Sequence, residues 1–179
     1  QYPVQNNAVY PNTTFGNRLK ETAQLIKAGV GLQMACVDIG GWDHHANIGA
    51  LLPPLLDELA KSLAAFHDDL GYLMNKVTVI TMTEFGRRVK ENSSGGTDHG
   101  SGSSMFMMGG SVIGGKVYAE WPGLADANLF NGDLDVTIDY RTVLNELMHK
   151  RAQDSNVEAQ FPGFTSGPWL GCFRKENLD

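Results

Sequence analysis

The 179-residue chain has only two cysteines, Cys36 and Cys172. That excludes a disulfide framework, while a single bridge and two free buried thiols both fit the count. No stretch approaches about 18 uninterrupted apolar residues, so no membrane-spanning helix is expected. Its 14 Lys and Arg are outnumbered by 20 Asp and Glu, for a formal net charge of −6, and they form no long run. A surface without a basic block is a poor match for phosphate backbones, so no nucleic-acid partner is expected. There is no G-x-G-x-x-G after a strand, no P-loop G-K-[ST] and no G-x-S-x-G elbow. Nucleotide-cradling and serine-hydrolase readings therefore have no motif behind them. Internal repeats and low-complexity segments are missing too. So are a starting Met and a basic-then-apolar leader, which leads to the expectation of a processed or truncated product. What remains is 42% hydrophobic and 19% charged residues with 21 glycines, the composition of one folded domain.

Residues 1–12 read as a polar arm with two prolines. Thr13 or Thr14 is placed to cap a helix running to about Ala28, stopped by Gly29 and Gly31. The apolar run 32–39 (LQMACVDI) between glycines reads as a buried strand. A long helix is expected from about Ala50 to Met74, with Leu52, Leu55, Leu56, Leu59, Leu63, Phe66, Leu70 and Leu73 at spacings of three and four. Pro53 and Pro54 are assigned to its first turn. The β-branched run 76–83 (KVTVITMT) is the clearest strand, 104–108 a shorter one, and 135–138 a possible edge strand. Asp139 is expected to cap a helix from Tyr140 to about Ala152, and 153–179 to pack as an irregular tail over the core. Strand, long helix and strand suggest a right-handed parallel βαβ unit. Its ligand site would lie beyond the C-terminal strand ends.

Chemistry-bearing residues fall at those ends. Asp38, Asp43, His44 and His45 follow the first strand, Glu84 the second, and Asp98-His99 precede the third. Mixed carboxylate and imidazole donors suit a divalent ion, which holds a phosphoryl or sulfuryl oxygen or activates a water. Asp38 and Asp43 also fit as turn residues, and Glu84 as a helix-start carboxylate. His44 and His45 cannot both face one point of an extended segment, and His45 is the preferred ligand. Asp98-His99 sits among Gly95, Gly96, Gly100 and Gly102, backbone freedom of the kind functional loops use. Ser101, Ser103 and Ser104 lie nearby without an evident partner base. Asn12-Thr13-Thr14 and Asn92-Ser93-Ser94 match the glycosylation pattern.

Gly40-Gly41-Trp42-Asp43-His44-His45-Ala46-Asn47, Thr83-Glu84-Phe85-Gly86-Arg87, Gly96-Thr97-Asp98-His99-Gly100, Gly109-Gly110 and Asp139-Tyr140-Arg141 together resemble a bacterial family. It is the domain-of-unknown-function 1501 family of exported, sulfatase-like proteins in the alkaline phosphatase superfamily. The resemblance spans about residues 30–150. It implies an α/β/α sandwich with a mostly parallel, alkaline-phosphatase-like sheet, and a site for a divalent metal (Zn, Mn, Fe or Ca). It implies action on small-molecule or glycan phosphate or sulfate esters, and a periplasmic, cell-surface or extracellular location. By position, Asp43, His45, Glu84, Asp98 and His99 become the metal ligands and Arg87 a bidentate binder of substrate oxygens. Phe85 stands where the superfamily often has His, and His44 where the family usually has Thr. The superfamily nucleophile lies on an earlier strand, so residues 1–179 are expected to form the C-terminal part of a larger domain. An N-terminal half or a second copy is then the expected protein partner. The alternative expectation is a non-catalytic envelope or extracellular assembly protein retaining the fold.

Overall fold

The computed structural model describes residues 2–152 and 156–175. These cluster into two compact units, Gln1–Met74 with Glu91–Asp98, and Asn75–Lys90 with His99–Asp179.

The first unit is built on two helices, α1 (Thr14–Ala28) and α2 (Ile48–Leu70), packed together. Thr13 caps α1 by accepting the Gly16 amide at 3.1 Å, and Gly29 ends it in the left-handed region at φ +64°. Phe15, Leu19 and Ala23 from α1 and Ala65, Phe66 and Leu70 from α2 are buried. Each large apolar side chain among them contributes about 1.5–3 kcal/mol. Of the stripe expected along α2, only Phe66 and Leu70 are fully buried, and Leu56 is exposed. The helix also starts earlier than its prolines suggested, putting Pro53 and Pro54 in the second turn. The carbonyls they leave unbonded, on Gly49 and Ala50, belong to exposed residues that water can reach.

One buried charge ties the N-terminal arm to both helices. Asp69 is fully buried and meets Lys27 Nζ at 2.7 Å. It also accepts the Gln5 amide at 2.7 Å and the Tyr10 hydroxyl at 3.0 Å. Lys27 donates a second bond, to Pro3 O at 2.7 Å. Burial, then the hydrogen bond and charge of Asp69, pushes the Tyr10 phenol well above its usual range.

The second unit holds β1 (Thr78–Ile80), β2 (Gly86–Arg87), β3 (His99–Gly100), β4 (Met107–Gly109), α3 (Tyr140–Leu147) and α4 (Val157–Gln160). β1 pairs with β4 and β2 with β3, both antiparallel, in two separate two-stranded sheets. The expected α/β/α sandwich with a mostly parallel sheet is therefore corrected: no parallel pair occurs among the described residues. The physical reason lies in residues 32–39, which form no strand. A strand's amides and carbonyls need a neighbouring backbone, and β1 bonds β4 instead. Around that segment Val30 is 65% and Met34 73% exposed. Residues 135–138 form no strand either.

Asp139 caps α3 as expected, accepting the Arg141 amide at 2.9 Å, and a π turn continues it over Met148–Ala152. The tail is not a cover over the core but part of it. Cys172 and Phe173 are buried with Val143, and Ile80, Met107, Val112 and Leu147 pack around them. Of the expected tail, 153–155 and 176–179 lie outside the described residues. Glu146, fully buried, pins the tail: it pairs with Lys150 at 2.7 Å and accepts the amides of Gly171 (3.0 Å) and Phe173 (3.1 Å). Both cysteines are free thiols, Cys36 exposed and Cys172 buried.

Removing either buried carboxylate strands a lysine away from water. Asp69→Ala and Glu146→Ala should each lower unfolding stability by roughly 3–5 kcal/mol, read from urea titrations. Glu146 also predicts a pH dependence. Burial raises its pKa, but Lys150 and the amides of Phe173 and Cys172 outweigh it and hold the carboxyl below its usual value. A depressed carboxyl contributes stability above the unfolded-state pKa and loses it as pH falls through the folded one. Wild-type stability should thus fall below about pH 4.5 more steeply than that of Glu146→Gln. Parallel acid limbs in the two proteins would contradict this.

Candidate metal centre

In the first unit, two loops without regular strands meet. Residues 42–48 enter α2, and residues 91–98 form a Gly-rich turn beside them. Asn47 N donates to Ser94 O at 3.1 Å, Ile48 N to Gly95 O at 2.8 Å and Thr97 N to His44 O at 3.1 Å. The first amides of a helix have no intrahelical partner, and here loop carbonyls answer them. The loops approach so closely that a Cβ on Gly96 would sit 2.3 Å from the His45 carbonyl carbon. Only glycine fits there.

This packing separates the neighbouring histidines. His44 is buried, while His45 is exposed between two carboxylates. Its Nε2 lies 3.1 Å from Asp43 Oδ1 and its Nδ1 3.4 Å from Asp98 Oδ1. All three side chains are roughly half exposed. A neutral imidazole carries a single N–H, so only one of the two carboxylates can receive a proton from it. The other then faces a ring lone pair, a contact relieved by an imidazolium or by a cation.

The donor set fits a cation on the Asp43 side. Two ligands held at about 2.1 Å from one ion, 90–109° apart, lie about 3.0–3.4 Å from each other. The Asp43–His45 separation of 3.1 Å falls in that range. Nδ1–H then points at Asp98, the carboxylate–histidine arrangement that orients metal-binding imidazoles. Asp98 thus meets the opposite nitrogen from Asp43. Asp38 is exposed and outside this cluster.

The remaining candidates lie in the second unit. β2–β3 pairing sets Arg87 opposite His99. Phe85 stacks on the His99 ring with centroids 3.9 Å apart and planes at 17°, and the Arg87 guanidinium carbon lies 4.9 Å from the Phe85 centroid. Phe85, with no ligating atom, thus supports an imidazole and a guanidinium together. Glu84 is exposed on the turn before β2. Arg88 pairs with Asp133 at 3.2 Å, and Ser101 donates to the same carboxylate at 3.2 Å.

Asn92 had no place among the expected site residues. Its side chain bonds both Asp98 and the His45 carbonyl. The available signal was an Asn two residues before Ser94 and followed by Gly95-Gly96, an Asx-turn pattern, which the glycosylation pattern obscured.

No curated protein and no solved structure matches the chain. A family model described as "Protein of unknown function (DUF1501)" matches residues 5–158, a span that contains both loops of the centre and the β2–β3 pair. The chain belongs to this family.

Proposed function

We propose that the chain binds a divalent metal ion through Asp43 and His45, with Asp98 orienting the imidazole, and that it acts on phosphate or sulfate esters. The observation that carries the reading is the His45 ring set between two carboxylates. Mixed oxygen and imidazole donors favour Zn, Mn or Fe over Ca, which takes oxygen ligands. Such an ion, when bound, supplies Lewis-acid charge to a phosphoryl or sulfuryl oxygen and acidifies a bound water. The chain's own groups do the rest. The family resemblance assigns ester oxygens to Arg87, whose planar guanidinium stands beside the Phe85 ring. The half-exposed carboxylates leave the centre open to a ligand from solvent. Small-molecule or glycan esters are the substrate class, and the family resemblance supports a location outside the cytoplasm.

One observation favours a second, non-catalytic reading. Phe85, where the resembled superfamily often has His, stacks on His99 with a ring that carries no ligating atom.

Elemental analysis of protein purified without added metal or chelator separates the readings. About one equivalent of Zn, Mn or Fe is expected, and an Asp43→Ala/His45→Ala double variant should lose it. Aryl phosphate and aryl sulfate hydrolysis should follow metal loading. Metal without hydrolysis moves the protein to the assembly reading. No metal, even after loading, overturns both the centre and the chemistry built on it.

A further inference from the structure

We propose that Asn92 is the positioning residue of this centre, holding the Asp98 carboxylate against His45; the inference rests on the metal reading above. Asn92 Nδ2 donates to Asp98 Oδ1 at 3.1 Å and to the His45 carbonyl at 2.9 Å. Its Oδ1 accepts the amides of Ser94 (2.9 Å) and Gly96 (3.1 Å). Its backbone closes the same turn, donating to Gly96 O at 2.8 Å and accepting Gly95 N at 3.2 Å. One side chain therefore folds the glycine turn with its oxygen and fixes the centre with its nitrogen.

Asp98 Oδ1 is shared by Asn92 Nδ2 and His45 Nδ1. Two groups converging on one oxygen define the carboxylate's rotation, and through it the orientation of the imidazole. The second Nδ2 bond locks the backbone of the residue whose ring is being aimed. The relay runs from Asn92 through Asp98 to His45, with Asp43 on the far side of the ring. Outer partners of this kind set ligand orientation and basicity. The same geometry gives the Asn92-Ser93-Ser94 pattern a different meaning. Both protons of Nδ2 are engaged, and a glycan would replace one of them.

The two halves of the amide can be tested apart. Serine at position 92 keeps a short-range acceptor for the turn amides but cannot reach Asp98, whereas alanine keeps neither. Full-length wild type, Asn92→Ser and Asn92→Ala are titrated with Mn²⁺ and with Zn²⁺ by calorimetry. Amide exchange at Ser94 and Gly96 is followed by NMR in the metal-free proteins. Asn92→Ser should keep most of the protection at both amides yet bind metal about 10–100-fold more weakly. Asn92→Ala should lose both. Wild-type affinity in Asn92→Ser overturns the role of Asn92 and leaves the centre standing. Weakened binding that appears only together with lost protection also overturns it, reducing Asn92 to a turn former. Failure of the wild type to bind either ion overturns the metal reading itself, before any variant is compared.

Discussion

A carboxylate removed from water must be answered by enough positive charge and enough donors to replace its hydration, and both units are organised by that requirement. Asp69 is answered by Lys27, the Gln5 amide and Tyr10, which fixes the course of an arm with no secondary structure of its own. Glu146 is answered by Lys150 and the amides of Gly171 and Phe173, which carries Cys172 and Phe173 into the interior. Sheet pairing amounts to a few residues in each ladder. Charge taken out of solvent does work that long strands do in more regular α/β domains, and it fixes irregular chain with comparable directionality.

The candidate centre follows the opposite rule. Asp43, His45 and Asp98 remain in contact with water, so their placement relies on short-range loop geometry. The two loops are joined by backbone hydrogen bonds at the entrance to α2 and by one asparagine. Buried carboxylates tie the scaffold together, and solvated ones stay open to a ligand.

The local signals in the sequence were legible where the physics is local. Thr13 and Asp139 cap the helices they precede, and Gly29 closes α1, because a cap depends on a few neighbouring residues. Asp38, Asp43, His44 and His45 cluster in the sequence, and it is the family resemblance that pairs Asp43 with His45. The sheet could not. Residues 32–39 are apolar and 76–83 β-branched, yet only 78–80 form a strand, since pairing depends on a distant backbone. Proline placement in α2 slipped for a related reason: loop carbonyls at Ser94 and Gly95 start the helix at Ile48. At position 85 the absence of a ligating atom was visible, but not the stack on His99, which needs the β2–β3 register.

The two thiols differ enough to make the protein chemically addressable. Burial, with the nearby Glu146 charge, pushes the Cys172 thiol up to about 11, and its side chain sits inside the second core. Cys36 stands exposed on the apolar segment between α1 and α2. A thiol-selective dye at neutral pH therefore marks one position, Cys36, and reports whatever that segment meets, with no engineered cysteine required.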